Sequence, residues 1–410
     1  MNKIIMENNI PVVLKQNKNT PRCAMCFYFK IEEPEKKAGL YTILNRLFLQ
    51  GTKNRSAEEL AQELDENAID CYSEMKHDFI RFKLLCLNED FDKGLEILED
   101  IIKNSTLDDF DKEIIKIKGE IQAELDSPKE KALDGFYSCI YKNHPYGHTY
   151  TKVLEEIDSI TKDEVVQTYK KLLNDSAKVI SFVGDKDEKA VVDSLKKHFI
   201  DIQNKENAQS TIPTPVLDKS EIVKIEKDDA SQAQIIQGWH VPTIHDKDYA
   251  AIMVMNTMLG SSGLSSRLFL ELREKKGLAY VVRSSYEVYD KAALFNVYIA
   301  TEPKNIKTSL EGFKIELDKI KNIPVTEEEL ENAKNNLIGK RQFFTETNLQ
   351  QAGLIAFYED KGLGANFEEK LIENIKKVTV EDIQRVANLC IKEPNVLTVL
   401  APKQYLKEIE

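Results

Sequence analysis

No apolar run in this 410-residue chain approaches the ~18 residues that a membrane-crossing helix requires, which argues against a helical membrane protein. No block of lysine and arginine interrupts a formal charge of −12, so the chain offers phosphate backbones no cationic surface and nucleic acid is not an expected partner. The opening stretch "MNKIIMENNIPVVLKQN" lacks a continuous apolar segment, a small-residue cleavage site and an Arg-rich amphipathic character, and instead alternates like a strand; we therefore expect a cytoplasmic protein. Cysteine is scarce. The six residues, Cys23, Cys26, Cys71, Cys86, Cys139 and Cys390, are too few and too scattered for a secreted disulfide framework. Cys23 and Cys26 form a C-x-x-C, but "RCAMCFYFKI" reads as a strand, on which residues three apart point to opposite faces. Histidine is equally scarce, and none of the six has a neighbour at metal-site spacing on an expected helix. His144 and His148 are four apart, yet Pro145 and Gly147 make "NHPYGHTY" a hydrogen-bonded loop.

What is present is length enough for two cores, and a repeat. "LEEIDSITKDEVVQTYKKLLNDSAKVISFVG" (154–184) matches "IENIKKVTVEDIQRVANLCIKEPNVLTVLAP" (372–402) at an offset of 218 (372 minus 154). Each reads as a helix capped by Thr161 or Thr379, with Glu164 or Asp382 three residues on, followed by a loop and a buried strand. The same offset relates "LDDFDKEIIKIK" to "VTEEELENAKNN", two acidic helix starts. The chain thus divides into homologous domains at 1–203 and 222–410, joined by a polar, proline-bearing linker at 204–221. Alternating segments such as "DFIRFKLLCL", "SQAQIIQGWHV" and "LFNVYIATE" suggest sheets covered by helices, so each domain is expected to be α+β, with a mostly antiparallel sheet.

One helix concentrates the question of function. In "AGLYTILNRLFLQGTKNRSAEEL", Leu40, Ile43, Leu44, Leu47 and Phe48 fall on one stripe, while Thr42, Asn45 and Arg46 fall opposite, as an ordinary polar face would. The run "GLYTILNRLFLQGTKNRS" resembles the zinc helix of the pitrilysin/insulinase metallopeptidases, in their short, mitochondrial-processing-peptidase-like branch. That helix normally carries H-x-x-E-H ahead of a Gly-Thr. Anchored on Gly51 and Thr52, the resemblance sets Thr42 on the first histidine, Asn45 on the catalytic glutamate and Arg46 on the second histidine. It continues through "DDFDKEIIKIKGEIQAELDSPKEKALDGFYSCIYKNHPYGHTY", where Glu120 falls on the third zinc ligand and Glu113 on its supporting acid. It implies the processing-peptidase fold for both domains. A zinc hydrolase needs three protein ligands and a carboxylate base. Thr42 is a poor ligand, Asn45 a far weaker base than a carboxylate, and Arg46 a permanent cation that would repel zinc. No cofactor is therefore expected in this chain, and Arg46 is expected to replace the lost cation beside Glu113 and Glu120.

A second motif, "MLGSSGLSSRLFLELREKKGLAYVVRSSYEVY", reads as a loop at Gly260, Ser261, Ser262 and Gly263, a helix from about Ser265 to Lys275 closed by Gly277, and a strand from Ala279. In the resembled family this segment supplies an Arg and a Tyr seven residues apart, matched here by Arg273 and Tyr280, and the resemblance gives the Gly/Ser loop to peptide binding. One motif is erased and the other kept. That asymmetry resembles the non-catalytic subunit of a heterodimeric peptidase, which binds peptide and lends Arg273 and Tyr280 to a zinc-bearing partner that carries H-x-x-E-H. The alternative is a structural or peptide-binding scaffold with no part in catalysis.

Overall fold

β-Branched and aromatic segments separated by turns assemble into two mixed sheets. The structure, a computed structural model, describes residues 1–205, 210–407 and 409. The strands are β1 (Asn2–Ile5), β2 (Pro11–Gln16), β3 (Arg22–Lys30), β4 (Asp70–Lys76), β5 (Phe79–Leu87), β6 (Lys178–Gly184), β7 (Glu221–Glu226), β8 (Ala233–His240), β9 (Ala279–Val288), β10 (Ala293–Thr301) and β11 (Val396–Ala401). The first sheet runs β1-β2-β6-β3-β5-β4 and the second β7-β11-β8-β10-β9. Among the described residues only β2–β6 and β7–β11 pair in parallel, so both sheets are mostly antiparallel and the fold is α+β, as expected.

The chain forms two compact units: 1–119, 153–212 and 342–368 make the first, and 120–152, 213–341 and 369–410 the second. These units are not the two sequence halves, because each takes one helix from the other half. In the first, the helix Asn348–Asp360 lies on β3 and β6, where Ala352, Ile355 and Ala356 pack on Ala24, Cys26, Tyr28 and Val183. Ser181 Oγ, on β6, donates to Ala352 O at 2.7 Å. The opposite face of that sheet is filled by aromatic rings, with Phe27 against Phe199 at 5.1 Å and Phe48 against Phe82 at 4.8 Å. In the second unit, the helix Pro128–Ile140 covers β7, β11 and β8. Residue 128 plus the repeat offset of 218 is 346, two residues short of Asn348, so the exchanged helices are equivalent elements of the two halves.

Thr161 and Thr379 both form the expected capping boxes, with Glu164 and Asp382. His144 caps a short 3₁₀ turn, its Nδ1 accepting from Tyr146 N at 3.1 Å and its Nε2 lying 2.7 Å from Pro213 O. Of the expected linker, residues 206–209 lie outside the described residues, and 210–220 carry neither helix nor strand. No helix among the described residues is long and apolar enough to cross a membrane.

Candidate functional site

In the first unit, the helix Leu40–Leu47 buries Leu40, Ile43, Leu44 and Leu47 and so fixes which way its other face points. Thr42 and Asn45 are half-buried, and Arg46, in the last turn, is exposed, where a cation suits the helix C-terminus. Asn45 O accepts from Ser73 Oγ of the edge strand β4 at 3.2 Å, while Asn45 Oδ1 is buried with no hydrogen-bond partner. Glu113 and Glu120 lie on one helix, Phe110–Asp126, whose residues beyond Gly119 belong to the second unit. Glu113 is only 2% exposed, and its carboxylate accepts from Lys116 Nζ, one turn on, at 2.5 Å. Glu120 is exposed. A hydroxyl, an amide and a guanidinium do not make a zinc donor set, and among the described residues no three His, Cys, Asp or Glu side chains are grouped so as to hold a metal ion. The residues present do not fit the metal that the sequence motif would call for.

In the second unit, Arg273 and Tyr280 are brought together. The Arg273 guanidinium carbon sits 4.8 Å from the ring centroid of Phe269 on one side and 4.8 Å from that of Tyr280 on the other. Arg273 Nη1 also donates to Tyr280 O at 2.5 Å. The turn between them is fixed by Gly277, at φ 61°, where L side chains are strained. Gly277 N reaches Arg273 O at 3.0 Å, Leu278 N reaches Leu272 O at 2.9 Å, and the buried Thr301 Oγ1 donates to Leu278 O at 2.7 Å. Opposite Thr301 the ladder slips: Ala279 pairs with Thr301 and Val281 with Ala300, so Tyr280 is the extra residue of a bulge. The bulge turns the Tyr280 ring outward, leaving the residue 75% exposed.

The helical part of this motif differs from expectation. The chain winds as π-helix over Thr257–Ser261 and again over Phe269–Lys275, with Ser262 and Gly263 in the bend between. Gly260 and Ser261 are thus not loop residues. Gly260 is buried against β9, where a Cβ would meet Ser284 N at 2.1 Å. π-Helical turns are rare and concentrate at functional sites. Lys340 Nζ donates to Ser261 O at 2.6 Å, and Arg267 holds Glu329 with two bonds of 2.6 and 2.7 Å. Beside the bend lies a cavity of about 220 Å³, lined by Met258, Ser262, Ser265, Thr326 and Asn332 among others. Phe269 was missed in the sequence, although its place four residues before Arg273 is the spacing of a helical side-chain pair. The π turns and the bulge leave no comparable sequence signal.

The fold is a duplicated α+β architecture, and its family is given by two matching family models. Residues 11–152 match the insulinase (peptidase family M16) model, and residues 159–337 match the peptidase M16 inactive domain. The chain belongs to the M16 (pitrilysin/insulinase) family. It is 26% identical over 381 residues to an uncharacterized zinc protease of Rickettsia felis, covering 90% of this chain and 89% of that one. It is 24% identical to the uncharacterized zinc protease YmxG of Bacillus subtilis, covering 97% of each. The same fold is found in a protease from Helicobacter pylori, at TM-score 0.88 and 24% identity over 98% of this chain and 99% of that one. A peptidase M16 inactive domain structure from Pseudomonas fluorescens likewise superposes at TM-score 0.88, with 21% identity and 98% of each chain covered.

Proposed function

We propose that this chain is the non-catalytic subunit of a cytoplasmic heterodimeric zinc metalloendopeptidase. It binds peptide, carries no metal of its own, and supplies Arg273 and Tyr280 to the active site of a homologous, H-x-x-E-H-bearing partner. The reading is carried by one asymmetry: Thr42, Asn45 and Arg46 cannot hold zinc, while the guanidinium and phenol of the second motif remain stacked on each other, with the Tyr280 ring facing solvent. When a hydroxide attacks a peptide carbonyl, charge develops on the carbonyl oxygen, and preorganised donors aimed at that oxygen lower the barrier. A forked cation and a directed hydroxyl are suited to that task.

The test is reconstitution with the partner. Removing one oxyanion donor typically costs ~10²–10³ in kcat, so Tyr280→Phe and Arg273→Ala should each reduce turnover by that order while assembly and the zinc content of the complex stay unchanged. A scaffold reading has one observation in its favour: Arg273 already spends a donor on Tyr280 O. Full activity of both variants in an assembled complex would select it.

A further inference from the structure

The cysteines have no part in the proposed function, yet two of them face each other. On the β3–β5 ladder Cys23 stands directly opposite Cys86, with the two sulfurs 3.6 Å apart. Cys26, three residues along, lies on the other face of the sheet, packed under Ala352, Ile355 and Ala356. On its β6 side Cys23 has no room: a Cβ on Gly184 would lie 2.6 Å from Cys23 Cβ. Its thiol is turned toward β5, 3.8 Å from Leu87 O and next to the Cys86 sulfur. Opposed residues of an antiparallel pair have Cα atoms ~4.5–5.5 Å apart, inside the range a disulfide spans, so side-chain rotation alone can close the gap to ~2.05 Å.

Access comes from the position of the rung. Both cysteines are buried, at 0% and 3% exposure, but β3 begins at Arg22 and β5 ends at Leu87, so the pair is one residue from the strand ends. Arg22 and Leu87 are exposed. Terminal rungs open locally at little cost, which admits a small oxidant while a protein-sized disulfide stays out.

We propose that Cys23 and Cys86 form an oxidisable pair that a hydroperoxide converts to an intrachain disulfide, stapling β3 to β5. Cys23, deprotonated to solvent, attacks a peroxide oxygen; the O–O bond breaks, the departing oxygen takes up a proton, and Cys23 becomes a sulfenic acid. Cys86 Sγ then attacks that sulfur, the S–S bond forms, and the hydroxyl leaves with the Cys86 proton as water. The two thiols give up two electrons and one hydrogen peroxide becomes two waters. The hydrogen bond with Cys23 and burial both push the Cys86 thiol up, so Cys86 keeps its proton through the first step and carries it to the hydroxyl that leaves in the second. The closed loop contains the helix bearing Thr42, Asn45 and Arg46 and the edge strand β4 that holds Asn45 O. Oxidation would therefore tighten the part of the first unit where the motif was lost.

The experiment treats the whole chain with hydrogen peroxide, alkylates it unfolded without reduction, and maps the peptides by mass spectrometry. The expected result is a Cys23–Cys86 cross-link, lighter by about 2 Da than the two free thiols, with Cys26, Cys71, Cys139 and Cys390 still alkylated. A melting temperature raised on the order of 10 °C, reversed by dithiothreitol and absent in Cys86→Ser, should accompany it. Recovery of Cys23 and Cys86 as separate alkylated or over-oxidised residues, or cross-linked to other cysteines or between chains, overturns the proposal. The mapping uses the unsubstituted protein and does not depend on the variant folding.

Discussion

Placing a methyl group on Gly260 should be the most damaging small change in the second unit. A Cβ there would lie 2.1 Å from Ser284 N and 2.7 Å from the Arg283 carbonyl carbon. Both are backbone atoms of β9, which is held along its length by the ladder to β10 and cannot retreat alone. Ordinary contact begins at 3.4 Å, so the π turn or the strand must move by about 1.3 Å (3.4 minus 2.1). Overpacking costs ~1–3 kcal/mol, and a clash with fixed backbone belongs at the top of that range. Gly263, three residues on, is the control. Its φ is +90° but nothing lies within 4 Å of its Cβ position, so alanine there meets only conformational strain of ~1 kcal/mol. The chain's single tryptophan, Trp239, is buried on β8 of the same sheet, so its fluorescence in a urea titration reports this unit. With a slope of ~2–3 kcal/mol per M, the midpoint should fall by ~1 M for Gly260→Ala and by less than half of that for Gly263→Ala. Equal losses, or a larger one at Gly263, would refute a steric origin for the loss at Gly260.

Lys116→Met should destabilise the first unit by ~1–2 kcal/mol, because it leaves the buried Glu113 without its ammonium; the value is below that of a fully buried pair because Lys116 is half-exposed. Adding Glu113→Gln should restore most of the loss in thermal melts, and a purely additive double variant would argue against the pairing. Lys178 gives a pH prediction. Burial pulls its ammonium down to about 8 from 10.5, so the folded state penalises the charge and the unfolded chain holds the extra proton between those values. The penalty is present below pH 8 and lifts as pH rises toward 10.5, so the unsubstituted chain should gain up to ~3 kcal/mol across that window relative to Lys178→Met. Parallel denaturation profiles for the two proteins would contradict it.

The parts of the fold that were legible are those encoded within a few residues. The capping boxes at Thr161 and Thr379 need only an i, i+3 pair, and β3, β5, β8 and β10 declare themselves by β-branched and aromatic content. Strand alternation correctly separated Cys23 from Cys26, but no local pattern says that Cys23 meets Cys86. Helical periodicity set Thr42, Asn45 and Arg46 on one polar face, of which only Arg46 is exposed, because burial depends on what packs above the helix. Likewise Arg273 and Tyr280 were matched through the family resemblance and not from the residues alone, whereas the bulge, the Phe269 ring and the place of Gly260 depend on the register of β9 against β10 and on the close approach of β9's backbone. The crossing of one helix from each half into the other unit is the largest feature that no window of sequence discloses.

That crossing sets an order on synthesis. The face of β3 and β6 that carries Ala24, Cys26 and Tyr28 is finished only by Asn348–Asp360. All strands of the first sheet leave the ribosome by Gly184, but the helix that covers them follows more than 160 residues later (348 minus 184). At ~5–20 residues per second the sheet waits roughly 10–30 s with an apolar face uncovered. Over that interval the nascent chain presents a ready-made surface for a chaperone, or for the equivalent helix of another copy still being made.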